Sequence, residues 1–505
     1  MTNYPHSPPV SRTRPYQLWT LCLIIGLVII RLYALMISPL GLHGDEAQYW
    51  AWSKDLDWGY FTKPPLIAWV IWVTTSIFGD AEWAVRLSSP LLHSITAFVI
   101  FRSARFAFDN QTGFWAAAIY LLMPALWLSS AIVSTDVPLL LCWAIALNAW
   151  LHIREKITWP RSVQLALALG FGLLAKYAML FFLPAVGLAF LFDKQTRRGL
   201  STLKGLMAGG LAFLIFLPNI LWNYSHNFAT VSHTVDNANL ETENLPFHPL
   251  ELGTFWGEQL AVFGPISGLM LIIALLFSFR GKLDPPAHWM SLFALSPLII
   301  ISIQALISRA NANWAVTTYI AGSILAAHLA LKYATQFKRW LVGGILAQTI
   351  ILLIPGLIIL SPTLTDKSNL LANSVKRLKK WPETVKQVEA IYKLGHDGKA
   401  YQTLALDKRI IFYDLTYYGL AKNLSMKMWK YEVKPSNHAE LSAPLAAQAG
   451  PVLILNYETQ YEDELREDFK KLIRLEDINI DIGGGKSRIL RVWAGYDYKP
   501  TQGRN

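Results

Sequence analysis

The sequence predicts an α-helical polytopic membrane protein of about 11 transmembrane helices, followed by a C-terminal α/β domain, and three observations predict it. Of the 505 residues, 53% are hydrophobic and 16% charged, whereas a soluble chain carries about 25% charge. Through the first 360 residues, apolar runs recur at roughly 20 residues each, the length that crosses a hydrocarbon core of about 30 Å. Beyond Leu360 the composition changes: Lys, Glu and Asp return every few residues and the apolar runs shorten to strand length.

Taken in order, residues 1–15 form a polar tail, and the run Tyr16 to Ile37 is too long for a signal-peptide core and lacks a cleavage site, so it reads as a span. Further spans are expected at roughly 84–106, 112–132, 137–153, 162–175, 178–192, 203–222, 256–279, 286–307, 314–331 and 339–360. The formal charge of +11 is not a nucleic-acid signature, because the basic residues cluster in short loops between spans. Examples are Arg102 with Arg105, Arg154 with Lys156 and Arg161, and Lys194 with Arg197, Arg198 and Lys204. Alternate loops are acidic or nearly uncharged, so the basic loops are assigned to the cytoplasm and the odd span count puts the C-terminus outside. The apolar stretch Pro64 to Phe78 is too short for a span, and counting it would invert every later loop. It is expected as a juxtamembrane helix, begun by Pro64 and Pro65 and set at headgroup level by Trp69 and Trp72.

In the C-terminal part, a helical pattern runs from Ser374 to Leu394. Strand-like runs occupy Arg409 to Phe412 and Val452 to Leu455, and alternation marks Arg488 to Trp493. Gly483-Gly484-Gly485 reads as a hairpin turn, since GGGK lacks the spacer and following helix of a phosphate loop. Cys22 and Cys142 both fall in apolar spans, which removes any disulfide framework or CxxC metal site.

The first outer loop, GLHGDEAQYWAWSKDLDWGYFTKPPLIAW, carries the richest chemistry. Asp45 and Glu46 follow the first span closely, and ionisable groups at a membrane must be solvated, paired or turned to a polar cavity. Six aromatic residues lie between Tyr49 and Phe61, Trp50 and Tyr60 among them, and offer flat surfaces for a sugar or lipid. Lys63 is available for an anion or for interfacial snorkelling. Asp136 lies in the polar break Ser134-Thr135-Asp136 ahead of Pro138, which suits a helix cap and equally a carboxylate facing a cavity. Lys176 and Arg309 are exceptions to the charge rule, because both reach the outer face. Each is placed to bind a phosphate or an acidic acceptor, or to pair with Asp136 or Glu258. His43, His226, His233 and His248 share the outer loops with carboxylates and raise the question of a divalent metal ion, but their spacing matches no ligand motif. The long loop from Asn223 to Phe255 has the length of a gating or binding loop.

Ordered motifs make this chain resemble the GT-C glycosyltransferases, in particular the branch of bacterial protein mannosyltransferases, lipid A aminoarabinose transferases and rhizobial galacturonosyltransferases. They are GDEAQYW at Gly44 to Trp50, GYFTKPPLIAW at Gly59 to Trp69, Val-Arg-Leu at Val85 to Leu87 and Ser-Thr-Asp-Val-Pro-Leu at Ser134 to Leu139. Weaker matches are LLAKY at Leu173 to Tyr177 and Asn313-Trp314. The resemblance implies a cytoplasmic tail at 1–15 and a membrane glycosyltransferase domain at 16–360, with juxtamembrane helices at about 43–78. It also implies a soluble periplasmic α/β domain at 361–505, in the bacterial inner membrane.

It implies as well an inverting transfer of a hexosyl or pentosyl group from a polyprenyl-phosphate donor to a lipid or glycan acceptor, with lipid A or lipopolysaccharide core foremost. By the same resemblance Asp45 is the general base, with Glu46 sharing or supporting the role, and Lys63, with Lys176 and Arg309, contacts the donor phosphate. Asp136, Tyr60 and Trp50 line or support the cavity. Thr62 stands where the aminoarabinose enzymes carry glutamate, which puts a metal role of that position in doubt; the resemblance requires no cofactor, and a divalent metal ion is left open. The rival reading is a transporter of an envelope lipid or small solute. Against it, no inverted repeat is visible and the polar residues gather at the outer ends of spans, not at their middles.

Overall fold

The structure is a computed structural model that describes residues 15–238, 247–332, 335–359, 361, 373, 375–419 and 424–501. Outside these lie most of the N-terminal tail with Arg12 and Arg14, Glu241 and Glu243 of the long loop, most of the junction after residue 359, and Ser374.

The first span is helix α1 (Tyr16–Ile37), and three short helices follow it: α2 (Gly44–Ser53), α3 (Leu66–Phe78) and α4 (Glu82–Arg86). The bundle continues with α5 (Ser88–Ala107), α6 (Asn110–Leu122), α7 (Pro124–Ser129), α8 (Asp136–Glu155) and α9 (Trp159–Ala175). Next come α10 (Phe182–Phe192), α11 (Lys194–Leu200), α12 (Leu203–Ser225) and α13 (Ala229–Ala238). It closes with α14 (Pro249–Phe263), α15 (Pro265–Phe279), α16 (Pro285–Ile307), α17 (Thr318–Lys332) and α18 (Thr335–Ile359).

Five helices among the described residues are long and apolar enough to cross a membrane, and two bent pairs raise the number to seven. The remaining expected spans up to residue 331 fall on helices shorter than 18 residues, and the last, 339–360, falls on the 25-residue α18, which is outside the five. The expected span 256–279 is one of the bent pairs, with α14 and α15 meeting at 115°. Gly264 takes φ +94°, a left-handed value that glycine reaches without strain, and Pro265 starts the second helix. The apolar stretch after Pro64 forms α3, as its proline start suggested, with only 13 residues.

The C-terminal part contains α19 (Trp381–Leu394), α20 (Arg409–Tyr417), α21 (His438–Ser442) and α22 (Glu462–Asp468). They pack with a six-stranded mixed sheet of β1 (Thr403–Leu406), β2 (Met426–Met428), β3 (Val452–Asn456), β4 (Phe469–Arg474), β5 (Ile478–Gly483) and β6 (Lys486–Tyr498). The strand order is β2-β1-β3-β6-β4, with β5 on the first half of β6. β1 runs parallel to both β2 and β3, so α20 is the crossover of a β-α-β unit. The expected strand at Arg409 to Phe412 is therefore a correction: these residues open α20. Its alternation is too short to separate strand from helix, and Ile411, Phe412 and Leu415 at helical spacing face the core. The triple-glycine turn is as expected, with all three glycines at positive φ between β5 and β6.

One apolar core lies within the helical bundle. A second is shared between the first loop and the sheet: Leu42, Ala47, Tyr49, Trp52 and Tyr60 pack with Ile411, Phe412, Leu453 and Val492. That shared core sets the sheet domain directly on the loop that carries Asp45.

Candidate functional site

Helix α2 begins with a reciprocal cap. The His43 side chain accepts from the Asp45 N–H at 3.2 Å, and Glu46 Oε2 accepts from the His43 N–H at 2.9 Å. The cap puts Asp45, Gln48, Tyr49 and Trp52 on one face at helical spacing and sends Glu46 the other way. Glu46 is 2% exposed and holds the Arg86 guanidinium in a two-pronged ion pair at 2.9 and 2.7 Å, and its Oε1 also accepts from the Val133 N–H. Of the two roles the sequence left open for Glu46, sharing the base's work or supporting it, the geometry favours support, because both Glu46 oxygens are already engaged. The Val-Arg-Leu motif finds its reason here, in Arg86.

Asp45 keeps two-fifths of its side chain exposed. Its Oδ1 accepts from Arg409 Nη1 at 2.9 Å, and the same nitrogen reaches Gln48 Oε1. Burial pushes the Asp45 carboxyl up, but Arg409 and His43 more than offset this and hold it below its ordinary value, so it is ionised at neutral pH. Such a carboxylate can accept a proton from a bound hydroxyl.

Lys63, in the loop between α2 and α3, has no carboxylate partner among the described residues. Burial and the neighbouring Lys176 lower its ammonium to about 8, against the pull of Asp136 and Asp45. Asp136 heads α8 as expected, without capping it: its Oδ1 pairs with Lys176 Nζ at 2.6 Å and its Oδ2 accepts from Asn313 Nδ2 at 2.8 Å. The ion-pair alternative for Lys176 therefore holds in this structure, and Lys176 is not a free phosphate ligand. His233 on α13 faces the same group; burial and the cations Lys63 and Arg409 lower it to about 4, which keeps it neutral.

Three other expectations fall differently. Tyr60 is buried, and its hydroxyl donates to the Trp52 and Asp55 carbonyls while its ring stacks on Trp52 at 4.4 Å. Trp50 turns away from Asp45, with its indole N–H on Asp80 Oδ1 at 2.8 Å and its ring against Tyr417. These aromatics fold the loop and dock the sheet domain, instead of standing open for a sugar. Arg309 lies exposed on the link after α16, outside every ion pair described for the cluster. Among the described residues no three His, Cys, Asp or Glu side chains gather as a metal site. The carboxylates present are committed to Arg409, Arg86 and Lys176, a donor set already neutralised by cations and a poor fit for a metal ion. Arg409 is the residue that sequence reasoning missed.

Residues 62–222 match the family model described as dolichyl-phosphate-mannose-protein mannosyltransferase. The chain is 35% identical over 342 residues to the lipid A galacturonosyltransferase RgtD of Rhizobium johnstonii, covering 65% of this chain and 68% of that one. It is 28% identical over 351 residues to an undecaprenyl phosphate-alpha-4-amino-4-deoxy-L-arabinose arabinosyl transferase of Pseudomonas fluorescens, covering 60% of this chain and 58% of that relative. The fold is similar to that of ArnT from Cupriavidus metallidurans bound to undecaprenyl phosphate, with a TM-score of 0.65 at 16% identity over 94% of this chain and 97% of that one. On the strength of the relative that is 35% identical and covered to 68% of its length, the chain belongs to the GT-C family of membrane glycosyltransferases.

Proposed function

We propose that this glycosyltransferase moves a sugar, with inversion, from a polyprenyl-phosphate carrier to lipid A or lipopolysaccharide core, at the periplasmic face of the bacterial inner membrane. The observation that carries the reading is the pairing of an ionised, accessible carboxylate at Asp45 with Lys63, a partly buried cation that no carboxylate neutralises among the described residues. The relatives' names support it: one acts on lipid A, and the other takes an undecaprenyl-phosphate-linked sugar. For the face, Asp136 at the start of α8, Lys176 after α9 and Asn313 after α16 lie at one end of the bundle, while Arg102, Arg154 and Arg161 lie at the other ends of their helices. By the charge rule the second end is cytoplasmic.

In the proposed step the acceptor oxygen forms a bond to the anomeric carbon as the bond from that carbon to the phosphate oxygen breaks. The acceptor proton passes to Asp45, and the bonding pair leaves with the carrier, whose phosphate goes from one negative charge toward two. Lys63 stands where that growing charge is stabilised more in the transition state than in the ground state. The test is transfer of radiolabelled sugar from a panel of polyprenyl-phosphate monosaccharides to envelope lipid and protein pools, by purified wild type and Asp45→Asn. Loss of about 100-fold or more in a folded Asp45→Asn is expected. Undiminished transfer would remove Asp45 from the centre, and solute movement in vesicles without any transfer would replace the enzyme by a transporter.

A further inference from the structure

The base of a transferase needs an oriented carboxylate with one oxygen open to substrate, and the bundle alone does not supply the orientation. Asp45 Oδ1 is held from across the molecule by Arg409, the first helical residue of α20. Arg409 stands just beyond the carboxyl end of β1, where strand order places β2 on one side and β3 on the other. In open α/β sheets this is where functional groups collect. The position is braced: Asp407 accepts from Asn456 Nδ2 at 2.9 Å and from the Tyr457 and Glu458 N–H groups at 2.8 and 2.7 Å, which fixes the turn from β1 into α20. On the other side Gln48 accepts from the same Arg409 nitrogen and donates to Thr62 Oγ1 at 3.4 Å, next to Lys63. One guanidinium nitrogen thus ties the base to the loop that carries the candidate phosphate ligand, while Asp45 Oδ2 accepts no hydrogen bond among the described residues and lies 3.7 Å from His43 Nδ1.

We infer that Arg409 is a positioning residue of the active site, and that the sheet domain completes the site by holding Asp45 through it. The inference rests on the function proposed above and adds to it a task for the sheet domain. Other charged or titratable groups also act on Asp45: His43 and Tyr49 from α2 and its cap, Lys63 from the loop, His233 from α13 and Asp414 from α20, while Asp136 from α8 lies behind Lys63 and Glu46 points to Arg86 on the other face. Arg409 is the cation in direct contact, so its removal acts on Asp45 before all of these.

The experiment uses the full-length protein in detergent, as wild type, Arg409→Gln and Arg409→Lys. In Arg409→Gln, kcat should fall about 10- to 100-fold with little change in donor KM. The acid limb of kcat/KM should move up by about 1 pH unit or more. Arg409→Lys should return the acid limb but not the full kcat, because its ammonium, a strongly hydrated point charge on a flexible stem, does not fix the direction in which the carboxylate is held. Carbodiimide coupling at Asp45, followed by peptide mass spectrometry, reads protonation without turnover, and its pH midpoint should rise in Arg409→Gln and return in Arg409→Lys. An acid limb and labelling midpoint that stay at the wild-type pH in a folded Arg409→Gln would overturn the inference. If Arg409→Gln does not fold, Arg409→Lys decides, since an unchanged kcat there would equally overturn it. A wild type that transfers no sugar from any carrier defeats the proposed function, while the labelling midpoints still decide whether Arg409 holds Asp45.

Discussion

At the scale of single residues, two acids that are neighbours in the chain have opposite fates. Glu46→Gln would leave the Arg86 guanidinium buried without its counter-charge, at a cost of about 3–5 kcal/mol. A clear fall in the thermal unfolding midpoint in detergent is the expected reading, whereas Asp45→Asn, at a partly exposed position, should keep close to the wild-type midpoint. On the role proposed for it, Lys63 sets the alkaline side of activity. Its ammonium, at about 8, contacts phosphate only while protonated, so kcat/KM should decline as pH rises through that value. Lys63→Arg, which stays charged far above that pH, should carry the alkaline limb out of range if transfer survives. Asp45 and Lys63 were legible in the sequence because each lies in a compact motif within one loop. Arg409 was not, since it stands 364 residues from its partner in a run whose apolar pattern fits strand or helix.

At the scale of elements, the site depends on how closely α2 approaches α20. Gly44 makes that approach: a Cβ there would overlap Ile410, whose branched side chain and backbone leave it little room to yield. Gly44→Ala should push the helices apart, loosen the Arg409 contact and lower transfer at least tenfold. Ile410→Ala in the same chain should restore part of the loss, and a double-mutant cycle on kcat/KM measures the coupling. The hairpin at Gly483 to Gly485 was readable because three glycines admit few structures other than a turn. The break between α14 and α15 was missed because hydropathy runs unbroken across it, although Gly264-Pro265 carries the local signal for a bend.

At the scale of the whole molecule, membrane class, family and sheet domain were all legible, since composition and motif order report them directly. The shared core of loop and sheet was not, because apolar residues announce burial without naming what buries them. The charge rule predicts a testable orientation. In a variant whose Cys22 and Cys142 are replaced by Ala, a cysteine at exposed Lys470 should react with a membrane-impermeant maleimide in intact spheroplasts, and one at exposed Lys156 only after permeabilisation. The reverse pattern would invert the proposed face.

The 364 residues between Asp45 and Arg409 also set an order in time. A ribosome adding roughly 5–20 residues per second finishes α2 some 20 to 70 seconds before it reaches α20. Through that interval the nascent chain threads its helices into the bilayer with its carboxylate unclamped. If Arg409 holds Asp45 as inferred, the enzyme becomes competent only when α20 has been translated and docked, and a product terminated before it, however well inserted, stays silent.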